Sequence, residues 1–123
     1  FNNPLIKDED VKWAIDSVKL GSFIKSLPNG LETKIFPDGR QLSSSNAQKI
    51  LLARSIVNKP KILFYEEPLD KMDKEAMKEI IDFITDEKNK WTVIVSSKND
   101  YWKQKCNRKI TMQNGKIIAD IKE

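Results

Sequence analysis

The chain has 123 residues, 39% of them apolar and 33% charged, which is typical of one soluble globular domain or of part of a larger one. It contains no histidine and a single cysteine, Cys106, so histidine-dependent catalysis, a disulfide framework and a cysteine–histidine zinc site are excluded. No apolar run is long enough to span a bilayer. Because the chain starts at Phe1 without a targeting stretch, we expect it to be a piece of a longer product.

The net charge of +4 comes from segment 98–109, which holds five basic residues and one acidic residue, so the rest of the chain is balanced. With Tyr101 and Trp102 in the same segment, contact with nucleic acid or anionic lipid is one interpretation. The alternative, which we favour, is a solvent-facing helix with one aromatic side chain turned inward.

The first predicted helix begins at the acidic run 8–10, since acids stabilise a helix N-terminus, and Gly21 is its expected C-terminal cap. Its apolar residues recur at helical spacing: Val11, Ala14, Ile15 and Val18. A shorter apolar segment at 23–27 runs into a turn at 28–30, and a second turn is predicted at 37–39.

A serine triplet at 43–45 opens the next predicted helix, in which Ser45 and Gln48 have the spacing of a capping box. The residues expected on or near its inward face are Ala47, Ile50, Leu51 and Val57. A later helix is predicted to begin near Asp73. Its apolar stripe consists of Ala76, Met77, Ile80, Ile81 and Ile84.

Two short apolar runs, 62–65 and 91–95, predict buried strands of the kind that is covered on both faces. A helical segment separates them, so the strands are expected to be parallel. A hairpin with an Asn114-Gly115 turn follows a short helical stretch near the end of the chain. This order of elements predicts the α/β fold class.

Polar residues follow both predicted strands: Glu66 and Glu67 end the first, and Ser97 and Lys98 follow the second. Ligands of open α/β sheets bind at the carboxyl ends of the strands, so these side chains are candidates for a site. Adjacent carboxylates could divide the roles of magnesium ligand and water-positioning base. A glutamate pair is also an ordinary polar end of a strand, and the residue types alone leave both interpretations open.

The segments 27–33 (LPNGLET), 38–43 (DGRQLS) and 47–54 (AQKILLAR) resemble the nucleotide-binding domain of ATP-binding cassette (ABC) transporters. The resemblance continues through 59–68 (KPKILFYEEP) and 72–73 (MD), which are similar to the family's Walker B strand and D-loop. Segment 27–33 looks most like the exporter-type branch. The resemblance covers nearly the whole chain, in order and at the family's spacings.

The resemblance implies an α/β fold that is the distal half of a P-loop NTPase core, with parallel strands, helices and a C-terminal hairpin, plus part of the ABC helical subdomain. Residues 1–41 would belong to the helical subdomain, and residues 42–123 would carry the signature helix and the distal half of the ATPase core. The family's Walker A loop would precede Phe1, and no glycine pair here has the GxxxxGK[ST] spacing.

The implied cofactors are ATP and Mg²⁺, which two such domains sandwich between them, so they would require the Walker A half or a partner domain. The implied partners are a second nucleotide-binding domain and a transmembrane transporter domain. The implied location is the cytoplasmic face of a membrane, as a peripheral domain of a membrane protein.

The family's signature turn reads Leu-Ser-Gly-Gly-Gln, whereas this chain has Leu-Ser-Ser-Ser-Asn at 42–46. The resemblance implies that four of these residues face nucleotide: Ser43, Ser44, Ser45 and Asn46. Glycines there would let backbone amides approach the γ-phosphate closely, and two serine side chains crowd that approach. We therefore expect weakened closure over nucleotide and describe the signature as degenerate.

By the same resemblance, Glu66 stands at the magnesium-associated aspartate, and its extra methylene displaces the carboxylate. Glu67 corresponds to the catalytic glutamate that acts as general base, and Asp73 to the D-loop aspartate. Lys98 takes the place of the switch histidine and offers a point charge rather than an imidazole.

Three functional classes stay open from the sequence. The first is a transporter ATPase with weak or degenerate turnover, although this chain alone is not expected to hydrolyse ATP. The second is a non-hydrolysing nucleotide-binding or regulatory partner half, and the third is a DNA-associated ABC-type ATPase. Nucleic acid is the partner we do not expect, because only the basic stretch supports it. The apolar strands lack neighbours within the chain, so the bare chain is expected to self-associate.

Overall fold

A computed structural model describes residues 5–27, 29–30 and 43–123 of the chain. The predicted turn at 37–39 and all of segment 31–42 therefore lie outside the described residues, as does Pro28. The helices are α1 (Asp8–Ser17), α2 (Gly21–Ser26), α3 (Ser44–Ile56), α4 (Lys74–Ile84) and α5 (Asp100–Lys105). The strands are β1 (Ile62–Glu66), β2 (Thr92–Ser96), β3 (Arg108–Gln113) and β4 (Lys116–Lys122).

Helix α1 begins at its three acids as predicted, but Gly21 does not cap it. Val18 is the C-cap, Lys19 adopts the left-handed conformation with φ of 64°, and the Leu20 amide donates to the Ile15 carbonyl at 3.0 Å. Gly21 instead opens α2. The prediction was wrong because a lysine took the positive-φ position that glycine usually fills.

The N-cap of α3 is Ser43, whose Oγ accepts a hydrogen bond from the Asn46 amide at 3.1 Å. The predicted capping box at Ser45 and Gln48 is therefore wrong by two residues. The buried residues at the inner side of α3 and just beyond it are Leu52, Ala53, Ile56 and Val57. Leu51, predicted to face inward, is 62% exposed, because α3 packs against α1 through the neighbouring row of side chains.

Strands β1 and β2 are parallel, with register from Ile62 opposite Thr92 to Glu66 opposite Ser96. Helix α4 connects them, and its N-cap is Asp73, whose Oδ1 accepts from the Ala76 amide at 2.9 Å. The stripe of α4 is confirmed, with these residues buried: Ile80, Ile81 and Ile84.

Within the described chain, the β1–β2 pair is covered on one face only. Leu63 is 3% exposed on the inner face, whereas Phe64 is 71% exposed on the other. Ile62 and Ile94 share that uncovered face with Phe64. The expectation of cover on both faces is therefore not met by the described residues themselves.

Strands β3 and β4 form the predicted hairpin, a separate two-stranded antiparallel sheet. Asn114 and Gly115 have φ values of 52° and 76°, the pair of positive values that a type I′ turn requires. The register shifts between Thr111 and Met112, which marks a bulge. The exposed large apolar residues of the hairpin are Ile110, Met112, Ile117, Ile118 and Ile121.

Helix α5 follows β2 and turns its tryptophan inward, as favoured from the sequence: Trp102 is 2% exposed and belongs to the main core. Its basic residues face outward, where Lys103 pairs with Asp100 at 3.2 Å and Lys105 pairs with Asp82 at 3.2 Å. The segment 98–109 is thus a solvent-facing surface fixed by one buried aromatic ring.

Candidate functional site

The parallel register of β1 and β2 brings the polar residues that follow the two strands to one edge of the pair. Glu66 lies opposite Ser96, and the Glu67 amide donates to the Ser96 carbonyl at 2.7 Å. Glu67 itself has φ of 41°, in the left-handed region that non-glycine residues seldom occupy. The chain therefore turns sharply away from the strand at the candidate catalytic residue, a kind of strain often found at functional sites.

The carboxylate of Glu67 is held by the segment that follows β2. Its Oε1 accepts from the Lys98 amide at 3.0 Å, and its Oε2 accepts from the Ser97 hydroxyl at 3.4 Å. Hydrogen bonds from an amide and a hydroxyl fix the direction of the carboxylate. Glu67 and Lys98 are thus brought together as predicted, although the contact uses the lysine backbone and not its ammonium group.

A further series of hydrogen bonds connects Ser97, which contacts Glu67, to helices α4 and α5. The Ser97 hydroxyl accepts from the Asn99 amide at 3.0 Å, and the Asn99 side chain caps α5 by accepting from the Tyr101 amide at 2.8 Å. The Asn99 Nδ2 donates to the Met77 Sδ at 2.7 Å, on helix α4. The position of the Glu67 carboxylate is therefore coupled to the start of α5 and to α4.

Glu66 and the Lys98 ammonium group are exposed, and neither side chain has a hydrogen-bond or ion-pair partner in the described part of the chain. No cluster of three or more cysteine and carboxylate side chains among the described residues could hold a metal ion. Magnesium requires a nearly octahedral set of oxygen ligands. These residues do not form a magnesium site by themselves, and Glu66 supplies one oxygen-bearing side chain at most.

The start of α3 carries the four residues predicted to face nucleotide. The Asn46 amide is occupied by the Ser43 hydroxyl, and the Ala47 amide donates to the Ser43 carbonyl at 3.0 Å. The amides of Ser44 and Ser45 belong to the first helical turn, whose N–H groups have no partner within the helix. This geometry leaves two backbone donors at a helix N-terminus, next to exposed or half-buried serine side chains.

Gln48 forms a connection that the sequence interpretation missed, because it was assigned to a capping box. Its Nε2 donates to Asp70 Oδ1, and its Oε1 accepts from the Lys71 amide at 3.2 Å. One carboxamide therefore ties the second turn of α3 to the loop that follows Glu67. Asp73, predicted as a D-loop residue, ends this loop and uses its carboxylate to cap α4.

No family model matches the chain. Among curated proteins, the ABC-type transporter kk1G of Curvularia clavata is 35% identical over 114 residues, covering 90% of this chain and 8% of that protein. Multidrug resistance protein 1 of Plasmodium falciparum (isolate 3D7) is 38% identical over 82 residues, covering 67% of this chain and 6% of that protein. A glutathione/L-cysteine transport system ATP-binding/permease protein, CydC of Bacillus subtilis, is 30% identical over 117 residues, covering 95% and 21%.

The chain belongs to the ABC transporter family, since these relatives match it over most of its length. It spans only 6% to 21% of the length of the three proteins named above.

Among solved structures, a bacterial Atm1-family ABC exporter with ATP bound matches with a TM-score of 0.86 and 20% identity, over 96% of this chain and 21% of that one. This likeness establishes the fold, and the predicted α/β fold class is confirmed: the helices and small sheets match a fragment of an exporter and fit a partial nucleotide-binding core. In the ranges that the structure describes, none of the helices has the length and apolar character needed to cross a membrane.

Proposed function

We propose that the chain is the signature-helix half of an ABC transporter ATP-binding domain that couples ATP binding and hydrolysis to export across a membrane. The observation that carries the proposal is the Glu67 carboxylate, fixed at the carboxyl end of β1 by the Lys98 amide and the Ser97 hydroxyl. A general base must be oriented before it can direct a water molecule at a phosphate, and this network orients Glu67.

The other site residues take the roles that the family resemblance implies. Ser43, Ser44, Ser45 and Asn46 would face the nucleotide of a partner domain, with the first-turn amides of α3 as donors to phosphate. Glu66 would be a magnesium ligand and Lys98 a phosphate contact, while Asp73 would stand at the domain–domain contact. Residues 1–41 would be part of the helical subdomain, and residues 42–123 the signature helix and distal core.

ATP and Mg²⁺ would be held jointly with a Walker A half from outside this chain. The name of the Bacillus subtilis relative, an ATP-binding/permease protein, supports the assignment of ATP. The partners would then be a second nucleotide-binding domain and a transmembrane domain, with this chain at the cytoplasmic face of the membrane.

We infer further that turnover is weak. Ser44 and Ser45 add side chains where close backbone approach to phosphate is needed, and Glu66 places its carboxylate one carbon farther from the strand than aspartate would. Lys98 adds a point charge without the hydrogen-bonding pattern of an imidazole. Losing one oriented donor alone costs catalysis about 3–4 kcal/mol, so changes at four nucleotide-facing positions weigh heavily.

The test is phosphate release by the protein that contains this chain, with ATP and Mg²⁺. We expect slow turnover that Glu67→Gln abolishes and that the double change Ser44→Gly and Ser45→Gly increases. Glu75→Gln, in the exposed first turn of α4, is the control for loss of a carboxylate and should leave the rate unchanged. Turnover that survives Glu67→Gln contradicts the role of Glu67, and rapid turnover of the unmodified protein contradicts the weak-activity inference.

A non-hydrolysing nucleotide-binding half is a second candidate, favoured by one observation. Both oxygens of the Glu67 carboxylate accept hydrogen bonds from the segment after β2, which leaves only their remaining lone pairs for a water molecule. Equilibrium binding of radiolabelled ATP and analysis of the bound product would separate the candidates. Bound ATP that is recovered intact favours this reading, whereas recovery of ADP favours the ATPase.

Nucleic acid is not a partner in our proposal, because four of the five basic residues in segment 98–109 are paired with acids. The two pairs beyond α5 are Arg108 with Asp120 at 2.7 Å and Lys109 with Glu123 at 2.8 Å. Paired cations release fewer counterions on binding DNA. A duplex-binding constant that falls steeply with salt concentration would overturn this part of the proposal.

Self-association of the bare chain is also part of the proposal. Ile62, Phe64 and Ile94 form an exposed apolar surface on β1–β2, and the hairpin adds a second one. Removing such surfaces from water is favourable, and unpaired strand edges offer a route to do so. Sedimentation of the 123-residue chain at tens of micromolar should show oligomers, and a monodisperse monomer would contradict the expectation.

A further inference from the structure

A second concave site lies at the amino-terminal ends of β1 and β2, away from the carboxylate edge. It is a half-open cleft of about 340 Å³, lined by Trp13, Lys59, Pro60, Lys88, Asn89, Lys90 and Trp91. Pro60 precedes β1 and Trp91 precedes β2, whereas Glu66 ends β1. A five-residue strand spans about 16 Å, so the cleft is separate from the site described above.

The floor of the cleft is aromatic and rigid. Trp13 packs on Phe83 with ring centroids 5.9 Å apart, and Trp91 packs on the same ring at 6.0 Å. The two indoles lie 6.5 Å from each other. The Trp91 indole N–H donates to the Ile84 carbonyl at 2.8 Å, which fixes the direction of its ring. Both tryptophans are only partly buried, so they offer a preformed aromatic surface to solvent.

The rim of the cleft is basic, and no carboxylate of the described residues lines it. The Lys59 ammonium lies 5.2 Å from the Trp13 ring centroid and pairs with Asp10 at 3.3 Å. Lys88 and Lys90 have exposed side chains that form no ion pair with any described residue. Lys88 and Lys90 therefore place two ammonium groups, without ion pairs to described residues, beside two indole surfaces.

Two acids, Asp86 and Glu87, directly precede these lysines in the chain and partly offset their charge. Asp86 uses its Oδ1 to accept from the Lys88 amide at 2.9 Å, and neither Asp86 nor Glu87 lines the cleft. The Asn89 side chain donates one hydrogen bond to the Phe83 carbonyl at 2.6 Å. Among the described residues that line the cleft, the cations without an ion pair are Lys88 and Lys90, beside the two indole surfaces.

We propose that this cleft binds a small planar aromatic molecule that carries an anionic group, such as an aromatic carboxylate. The ring contacts Trp13 and Trp91, and the anionic group pairs with Lys88 and Lys90. The volume fits such a ligand, since small-molecule sites begin at about 300 Å³ and combine apolar walls with a few polar groups. This site does not depend on the proposed ATPase function.

The experiment is a titration of the protein that contains this chain with 2-naphthoate, followed by ligand-observed NMR and tryptophan fluorescence. We expect saturable binding that the double change Lys88→Gln and Lys90→Gln weakens at least tenfold. The matched control is Lys116→Gln with Lys122→Gln, which removes two exposed charges from the hairpin and should not change the affinity. The neutral analogue 2-naphthalenemethanol should bind at least tenfold more weakly.

A second variant, Trp13→Leu, removes one indole surface and keeps the lysines, and it too should weaken binding at least tenfold, with circular dichroism used to verify folding. The proposal is overturned if naphthoate does not saturate, if the neutral analogue binds equally well, or if the hairpin control loses as much affinity as the cleft variant. Displacement of naphthoate by duplex DNA but not by benzoate would assign the cleft to a polyanion and also overturn it.

Discussion

The two small sheets of this chain are stabilised in different ways. The β1–β2 pair joins residues about thirty positions apart, such as Ile62 and Thr92, and depends on helices packed against its inner face. The β3–β4 hairpin is built from neighbouring residues, a type I′ turn and surface ion pairs, and contributes no residue to the buried core. The first sheet thus depends on tertiary packing, whereas the second is encoded locally.

The largest difference between the two regions should come from removing one apolar side chain in each. Ile80→Ala deletes a fully buried side chain of α4 and should cost about 2–5 kcal/mol of local unfolding free energy. Ile118→Ala, on a hairpin residue that is 58% exposed, should cost less than about 1 kcal/mol. Hydrogen exchange of peptides covering 62–96 and 108–122 measures both. Equal losses would contradict the division into packed and locally encoded regions.

The next largest effect should be at the hairpin turn. Gly115 has φ of 76°, and Gly115→Ala forces a Cβ into that conformation at a cost of about 1–2 kcal/mol. Nothing lies within 4 Å of the added carbon, so the expected loss comes from the backbone alone. Exchange protection should fall in β3 and β4 and stay unchanged in β1 and β2.

Gly21→Ala is the matched control for that change. Gly21 opens α2 without a positive φ, and an added Cβ would meet only Asp16 Oδ1 at 3.4 Å. We expect a change within about 0.5 kcal/mol. A loss as large as that of Gly115→Ala would mean that the hairpin turn is not specially constrained.

A smaller, pH-dependent effect is expected at Tyr65 on β1. Burial raises the pKa of the Tyr65 phenol above its ordinary value, and the hydrogen bond with Ser55 Oγ at 2.9 Å lowers it in part. A raised folded-state pKa means that the stabilisation is complete below the unfolded value near pH 10 and is lost as pH rises through the folded value. The free energy of unfolding of the β1–β2 region should therefore decline above about pH 10.

Tyr65→Phe should flatten this decline and cost about 1 kcal/mol at neutral pH through the lost hydrogen bond. Exchange protection of β1, corrected for the intrinsic rate at each pH, is the measurement. Tyr101→Phe measures the separate contribution of the Tyr101 phenol, whose pKa is raised by its hydrogen bond to Asp82 at 2.6 Å. An unchanged slope in Tyr65→Phe would show that this phenol is not the titrating group.

The smallest effect should come from the surface ion pair of the hairpin. Arg108 contacts Asp120 through two hydrogen bonds, Nε at 2.9 Å and Nη2 at 2.7 Å. Both groups are solvated, so Arg108→Gln should reduce hairpin protection slightly at low salt and not at all at high salt. A loss that persists in concentrated salt would indicate a packing role for the arginine.

Much of the fold could be predicted because its signals are local. The Asn114-Gly115 turn, the helix start near Asp73 and the stripe of α4 each depend on residues close in sequence, and the structure confirms all three. Each of three consecutive serines could cap α3, and the sequence alone does not show at which of them the helix begins. The choice of Ser45 was therefore wrong, and Ser43 is the cap. Leu51 was assigned inward because helical spacing does not say which row of side chains faces α1.

The candidate site was predictable in position but not in detail. Two strand ends with polar residues predict that Glu67 and Lys98 lie together, which the parallel register brings about. Lys98 contributes its amide rather than its ammonium group because of the turn at Glu67. The positive φ of Glu67 has no sequence signal. Gln48 contacts Asp70 and Lys71, which are 22 and 23 positions away in the chain, so no local sequence pattern indicated this contact.

The hairpin turn also sets an order of events when the chain folds. Short hairpins form in microseconds, whereas pairing β1 with β2 must wait until the intervening segment with α4 has brought the strands together. The exposed isoleucines and methionine of β3 and β4 would therefore be displayed on a formed ribbon before most of the core exists. When the whole chain refolds from a denatured state, this ribbon is therefore an early exposed apolar surface through which molecules can aggregate.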